Sequence, residues 1–517
     1  MKTKVVLAIV PRIQDDFGYT PAGPALVKGA IVNAGFDCKI FDFNSDIDHR
    51  YQTNKELMVP IENWFMNYNF YSSKIFKIVE QLISDWANQI LDYDPTHVGI
   101  SVFSYNSQRA TRMLSTVLKA RNPNIKIFIG GAGINTDDQF PTHCLNEKII
   151  DCWIRGEGEK SVLEYLNGNT DYPGINGKPF IQIDNIEDLP FPDYSDYELK
   201  TYTNKKGLIA LPITGSRGCV RHCTFCDVHS LWPKYRFRSG DSIANEIKSQ
   251  VKRYKAKAFR FTDSLINGSM KAFRDMTSVL SEFRLNLPEE DRFTWDSHFI
   301  VRGEKQMPPQ DFVKMAESGA GTLLVGVESG SPSVRKHMKK GYTNEELHYS
   351  LNEIFKNNIK IRFLMIIGYP TETQDDFQQT LDLFDRYKEF AKTGLIEEVN
   401  LGLTLNLLPN TPLYEDAEQF GLETTKTHIN DWICTQNPEL DFRERLKRRI
   451  YAQYYIEKLG YKVFESKNYA RALAIAWNQV NNMKKSKPKQ LDANKIKYDR
   501  DKGGMTEVPS FDPHRTY

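Results

Sequence analysis

Cysteine is scarce in this chain, with seven in 517 residues, and histidine is nearly as sparse, with ten. So few thiols cannot build a disulfide scaffold, which excludes the small secreted fold stapled by bridges. Long apolar runs are missing as well. None approaches the roughly 20 residues that cross a bilayer. The opening, Met1-Lys-Thr-Lys-Val-Val-Leu-Ala-Ile-Val-Pro11, holds one brief apolar run that Pro11 and Arg12 end. It is too short for the core of a signal peptide and reads as a buried first strand. An excess of one charge is also lacking: 68 Lys and Arg against 66 Asp and Glu leave +2. That balance gives no field for nucleic acid or an anionic membrane surface. The expectation is a cytoplasmic protein in a reducing compartment, with no membrane partner and no strong nucleic-acid signal.

Against that scarcity, three cysteines fall within eight positions: Thr214-Gly-Ser-Arg-Gly-Cys219-Val-Arg-His-Cys223-Thr-Phe-Cys226. The spacing is C-x3-C-x2-C. Clustered thiolates suit a soft metal centre. Two centres fit the spacing. His229, three positions after Cys226, completes a Cys3His set for a structural zinc, in a non-catalytic protein. Alternatively, three thiolates leave a coordination position open for chemistry. The other cysteines, Cys38, Cys144, Cys152 and Cys434, are scattered and read as single reduced thiols. His428, Asp431, Trp432 and Cys434 are conspicuous near the end of the chain and read as packing or surface.

Periodicity divides the chain into an α/β series, a break, a second α/β series and a helical end. Residues 1–170 alternate strand runs (5–10, 38–43, 97–102, 125–129, 149–154) with helical ones (22–34, 108–120). This predicts a Rossmann-like, doubly wound parallel sheet. An aromatic-rich stretch at 50–92 reads as a helical insertion whose rings pack. Residues 171–205 are proline-punctuated and turn-rich, a linker along the surface. In 206–415 six strand runs recur near 208, 258, 293, 322, 361 and 399, with helices between them. Six units are too few for a closed eight-fold barrel and predict a partial (β/α)6 barrel. Residues 416–482 show no strand pattern and read as a C-terminal helical region, with helices at 441–459 and 469–482. The polar 483–517 stretch reads as a tail. The cysteine loop follows the first strand of the second series, at the mouth of that barrel. The basic, aromatic run Trp232-Pro-Lys-Tyr-Arg-Phe-Arg238 reads as a loop framing it.

The cysteine loop resembles that of the radical S-adenosylmethionine (radical SAM) enzymes, with Phe225 as the aromatic residue before the third cysteine. The resemblance continues at successive strand ends. Phe261-Thr-Asp-Ser-Leu-Ile-Asn267 stands where the family binds the SAM amino group, with Asp263 in place of the glycine-rich version. Gly326-Val-Glu-Ser-Gly330 resembles G-x-E-S-G, and Lys340-Gly341 the family's K-G. Ile367-Gly-Tyr-Pro-Thr-Glu-Thr373 resembles G-x-P-x-E-T. Leu408-Pro-Asn-Thr-Pro-Leu-Tyr414 resembles the sixth-strand motif with Asn410 replacing Gly. The resemblance implies that Cys219, Cys223 and Cys226 each hold one iron of a [4Fe–4S] cluster. The fourth iron then chelates SAM, whose reductive cleavage yields a 5′-deoxyadenosyl radical. It also implies cofactor contacts from Phe225, Asp263 and Glu328, and an electron donor such as flavodoxin or ferredoxin. Asp263 read from the sequence alone is equally a helix N-cap.

A doubly wound domain before such a core, joined through Leu189-Pro-Phe-Pro-Asp193, is similar to the cobalamin-binding radical SAM subfamily. Ser101-Val-Phe103, Gly130-Gly-Ala-Gly133 and Gly156-Glu-Gly-Glu159 carry the similarity. Ser101, Gly130 and Gly131 are the implied cobalamin contacts. For a lone pair of glycines, a tight strand-to-helix turn is the competing reading. One departure stands out. The D-x-H-x-x-G element that supplies a histidine to cobalt is absent, the first histidine being His49. The resemblance implies cobalamin-dependent methylation of an unactivated carbon on a small-molecule or peptide substrate. Cobalamin-free C–H chemistry, with the first domain as a substrate module, is the alternative.

Overall fold

The structure is a computed structural model. It describes residues 3–11, 19–51, 53–66, 72–135, 138–204, 206–424 and 432–464, together with two short strands at 498–499 and 504–505 that pair with each other. The chain divides into two compact units at Ile209/Ala210.

The first unit is a five-stranded sheet in the order β2-β1-β3-β4-β5. The strands are β1 (Lys4–Ile9), β2 (Asp37–Asp42), β3 (His97–Ser101), β4 (Lys126–Gly130) and β5 (Cys152–Ile154), and every pairing is parallel. A parallel sheet covered on both faces needs continuous apolar strands, which is why Val5 to Val10 are all buried. Helices α1 (Ala22–Asn33), α2 (Phe43–Tyr51), α3 (Lys55–Met66), α4 (Ser73–Asp92), α5 (Gln108–Arg121), α6 (Gln139–Asn146) and α7 (Gly158–Leu166) connect them. The aromatic insertion is α3 and α4. Trp64, Phe65 and Trp86 are buried in the core with Phe43, and Ser72 caps α4 by accepting from the Ile75 amide.

Ser101 and Gly130 are register partners at the C-terminal ends of β3 and β4. Gly131 follows with φ +119°, and a Cβ there would lie 2.7 Å from the Val102 carbonyl oxygen. The glycine is therefore required by backbone meeting backbone. The loop after β1 that carries the departure from the cobalt-ligating element falls mostly at 12–18, outside the described residues.

Residues 171–204 are mostly exposed or half-exposed, as a surface linker would be, but the stretch 194–202 packs onto the first sheet. Tyr194, Tyr197 and Tyr202 are buried. The Tyr197 hydroxyl donates to the Pro21 carbonyl (3.0 Å), Tyr202 bonds Asp42, and Asp196 takes both Lys28 (2.6 Å) and the Ile40 amide (2.8 Å). Turn residues mark where a chain bends. The tyrosines decide that it lies down, since each buries a ring, and Tyr197 and Tyr202 donate their hydroxyls to Pro21 and Asp42.

The second unit holds six parallel strands in sequential order: β6 (Ala210–Ile213), β9 (Ala258–Phe261), β10 (Thr294–Phe299), β11 (Ala320–Glu328), β12 (Lys360–Met365) and β13 (Ile396–Asn400). Helices α9 (Gly240–Tyr254), α10 (Met270–Leu285), α11 (Pro309–Glu317), α13 (Asn344–Lys356) and α14 (Gln374–Lys392) separate them, with the short α12 (Pro332–His337) after β11. Thr373 caps α14 in a reciprocal capping box with Asp376, so the Glu-Thr of the fifth motif starts a helix. The ribbon β7 (Ser216–Arg217) with β8 (Arg236–Phe237), the turn α8 (Val228–Leu231) between them and α15 (Pro412–Glu415) complete the mouth.

Beyond 415 the expectation of helices alone needs correction. Leu422–Thr424 (β14) and Trp432–Cys434 (β15) form an antiparallel ribbon, and only then does α16 (Phe442–Lys458) begin, capped by Asp441. Strands of three residues are too short to show a period of two. The helix read at 469–482, with His428 and Asp431, lies outside the described residues. Trp432 and Cys434 are buried, the former donating to the Leu405 carbonyl at 2.9 Å.

Candidate metal and cofactor site

β6 delivers the chain to Thr214, and the cysteine loop follows. Its base is clamped by the returning segment 232–238: Ser216 and Arg217 pair antiparallel with Phe237 and Arg236. The Arg238 amide donates to Gly215 (2.8 Å), and its guanidinium bonds Thr214 and the buried Glu246. Arg217 and Arg236 stand over the Trp232 ring at 5.8 and 5.4 Å. The basic, aromatic run thus frames the loop.

Cys223 is buried, and Cys219 and Cys226 are partly so. Burial raises all three thiols, Cys226 to about 12, while Lys340 pulls Cys219 and Cys223 down. Such thiols ionise when a metal takes the place of the proton. Among the described residues no three His, Cys, Asp or Glu side chains close on a point that would hold a single ion. A four-iron cluster takes one thiolate at each of separate corners, so its ligands stand wider apart than those round one zinc. His229 does not complete a zinc set. Its Nε2 lies 2.6 Å from the Arg221 carbonyl and its ring stacks on His222 at 4.1 Å. Three soft thiols on one loop, with no fourth ligand beside them among the described residues, fit a cluster that keeps one corner open.

Asp263 is buried at the end of β9. Its Oδ2 accepts the Gly215 amide (2.9 Å) and its Oδ1 the Ser216 hydroxyl (2.6 Å). Burial pushes the carboxyl up to about 7, against the pull of these donors. The carboxylate therefore holds the base of the cysteine loop. The N-cap reading fails, since Ser269 caps α10.

Glu328 ends β11 at a bulge with φ +65°, a left-handed backbone unusual for any residue with a Cβ. The bulge aims its Oε1 at Lys340 Nζ, 3.0 Å away, with both side chains nearly buried. A Cβ at Gly326 would press on that carboxylate and on Lys340, so the Gly-x-Glu pattern makes room for the ion pair. Burial works against the Lys340 ammonium, yet Glu328, Tyr342 and Cys223 together hold its pKa above the usual lysine range. Phe225 packs on the cluster that contains Val334, Met338, Tyr369, Leu405 and Leu413, with Lys340 Nζ 5.9 Å from its ring. Glu328, Lys340, Phe225 and the cysteines are thus one neighbourhood. Ser101, Gly130 and Gly131 belong to the first unit.

Two further features were not among the candidate site residues. The first is a row at one level of three strands. Thr214 and Thr262 bond through their hydroxyls (2.9 Å) just past the paired ends of β6 and β9. Asp296 pairs with Arg260, which sets His298 level with Thr262. Trp295, Ser297 and Phe299 are buried on the opposite face of β10, where Trp295 bonds Ser318. His298 thus shares a face with Thr294 and Asp296. Burial lowers its pKa to about 4, and Nδ1 lies 3.2 Å from the Asp263 carbonyl. The neutral ring donates there through Nδ1, which makes Nε2 an acceptor. The second is Glu372, fully buried, accepting from the Gly368 amide and pairing with Arg448 of α16 at 3.1 Å.

Comparison with known proteins places residues 213–384 in the radical SAM superfamily. An uncharacterised methyltransferase of Pyrococcus horikoshii is 25% identical over 395 residues, 72% of this chain and 81% of that one. The cytidylyl-2-hydroxyethylphosphonate methyltransferase of Streptomyces wedmorensis is 24% identical, over 68% of this chain and 69% of its own. Two solved structures share the fold. TsrM of Kitasatospora setae, a radical SAM methyltransferase with cobalamin and a [4Fe–4S] cluster bound, superposes with TM-score 0.59 at 14% identity over 94% of this chain and all of its own. OxsB, a cobalamin-dependent SAM radical enzyme, gives 0.63 at 16% over 93% of this chain and 72% of its own.

Proposed function

This chain is a radical SAM enzyme, belonging to that superfamily through residues 213–384, and on that premise we propose that it methylates an unactivated carbon with cobalamin as a second cofactor. The observation that carries the reading is the three-thiol loop at the end of β6, beside the buried Glu328–Lys340 pair. Cys219, Cys223 and Cys226 would hold a [4Fe–4S] cluster. With SAM bound, that cluster supplies one electron to the sulfonium and so a carbon-centred oxidant.

The chain's own residues do the rest. Asp263 fixes the base of the loop through Gly215 and Ser216. Phe225 and the apolar cluster beneath it exclude water. Lys340 offsets the negative charge that three thiolates bring. Glu328 and the 214–262–298 row offer polar contacts to SAM or substrate.

Cobalamin would sit in the first unit, over the C-terminal ends of β3 and β4, near Ser101, Gly130 and Gly131. The sheet order and the named activities of the relatives support this. We assign 1–170 to that domain, 171–205 to its extension, 206–415 to the radical core and 416–482 to a cover over it, followed by the 483–517 tail. The electron donor would be a flavodoxin or ferredoxin, and the substrate a small molecule or peptide. A cobalamin-free C–H transformation is the second reading. One observation favours it: Gly131 is required by its contact with Val102 whether or not a corrin is near.

The test is expression with hydroxocobalamin, anaerobic purification and cluster reconstitution. The proposal expects corrin absorbance in the purified protein and 5′-deoxyadenosine release that Cys223→Ala abolishes. Deoxyadenosine without corrin would leave the second reading standing. Release that survives Cys223→Ala would remove both.

A further inference from the structure

Three motif segments of the second unit share a contact not yet described: the end of the helix before Lys340-Gly341, the Ile367–Thr373 stretch, and Leu408–Tyr414. All three meet at Thr224, which lies between Cys223 and Cys226 and is fully buried. Its amide donates to the Met338 carbonyl at the end of α12 (3.2 Å). Its carbonyl accepts the Leu413 amide of α15 (2.9 Å). Its hydroxyl lies 2.9 Å from the hydroxyl of Tyr369 in the loop after β12. Tyr369 is itself fully buried and donates to the His337 carbonyl at 3.3 Å, which leaves its oxygen to accept from Thr224. Every polar group of Thr224 is therefore held by a different segment, and each segment comes from the end of a different strand.

We infer that Tyr369 is a positioning residue for the cluster: through Thr224 it sets the path of the chain between Cys223 and Cys226, and with it the fit of two thiolates to their irons. The inference rests on the reading of the cysteine loop as a cluster site. Two ligands three residues apart have little slack, because the chain between them must place both sulfurs at once. A hydroxyl pair buried at the midpoint removes the remaining freedom. The pair lies in the apolar cluster of Val334, Met338, Leu405 and Leu413. Tyr369→Phe removes one oxygen and keeps the ring, so packing changes little while Thr224 loses its partner. Thr224→Val does the same from the other side, and Thr224→Ser keeps the hydroxyl.

The experiment uses the full chain, reconstituted anaerobically with iron and sulfide. It follows the loss of the cluster's visible absorbance to a chelator, and the electron paramagnetic resonance spectrum of the reduced cluster. Tyr369→Phe and Thr224→Val are expected to lose the cluster roughly fivefold faster than the parent, as one buried hydrogen bond warrants. They should share an altered spectrum, and the double variant should be no worse than either single one. Thr224→Ser is expected to match the parent. Loss rates and spectra equal to the parent's in both hydroxyl deletions would overturn the inference. A parent that takes up no iron would instead overturn the cluster reading. Amide hydrogen exchange of the apo-protein then still decides on the clamp. Faster exchange at Thr224 and Leu413 in Tyr369→Phe supports it, and unchanged exchange refutes it.

Discussion

Glu328 keeps a left-handed backbone whose cost is on the order of 1–3 kcal/mol, held in place by the Ile366 amide on its carbonyl and by Lys340 on its carboxylate. Removing Lys340 leaves that strain and an unpaired buried charge together. Lys340→Met is expected to destabilise the second unit by about 3 kcal/mol in urea unfolding. His298 shows the opposite economy, a group kept neutral. Its folded pKa of about 4 lies below the 6.5 of an unfolded chain, so the unfolded state binds the extra proton first. The stability it contributes is complete above pH 6.5 and is lost as pH falls through 4. The parent should therefore lose about 3 kcal/mol over that window that His298→Gln does not. The cysteines were legible in the sequence because their chemistry is local, three thiols within one loop. Asp263 was legible as a residue that matters and illegible in what it does, since its partners, Gly215 and Ser216, lie some 48 positions earlier. His298 was not legible at all. One histidine at a strand end has no pattern around it, and only the register of β10 on β9 gives it a place.

At the scale of elements, the six strands of the second unit were readable as short apolar or β-rich runs, continuously buried in β6 and alternating in β10 and β12. The caps Thr343, Thr373 and Asp441 are local in the structure, each accepting from an amide three residues on. What failed was decided by distant partners or by very short elements: the tyrosines that lay residues 194–202 onto the first sheet, and the three-residue strands β14 and β15. The attachment of α16 was equally hidden. Arg448 reaches the buried Glu372, and Arg445 stacks on Trp432 at 3.6 Å while donating to the Trp432 and Leu440 carbonyls. Burial raises Glu372 to about 7 in spite of Arg448, so the pair fixes geometry more than it adds stability. Glu372→Ala leaves Arg448 and the Gly368 amide without this acceptor. It is expected to cost about 3–5 kcal/mol and to expose α16 to protease before the sheet unfolds. In the first unit, Gly131→Ala meets both a positive φ and the Val102 carbonyl. A loss of about 2–4 kcal/mol in that unit's unfolding is expected.

At the scale of the whole molecule, two α/β units follow one another in the chain, and each puts its conspicuous residues at the C-terminal ends of parallel strands, where such sheets place their sites. The chemistry proposed for the second unit rests on its own residues and on the radical SAM match over 213–384. The first unit's cofactor is the wider inference, because its glycines are already explained by packing. Among the described residues no helix is long and apolar enough to cross a membrane, and nothing in the charge balance adds a nucleic-acid surface. Most of what is proposed here depends on Cys219, Cys223 and Cys226 ligating a cluster that cleaves SAM. The most direct test is anaerobic incubation of the reconstituted protein with SAM and dithionite, with 5′-deoxyadenosine measured by mass spectrometry for the parent and for Cys223→Ala. The parent is expected to release 5′-deoxyadenosine, and the variant none above background. Equal release from both, or none from a parent that carries its full iron and sulfide, would contradict the cluster assignment.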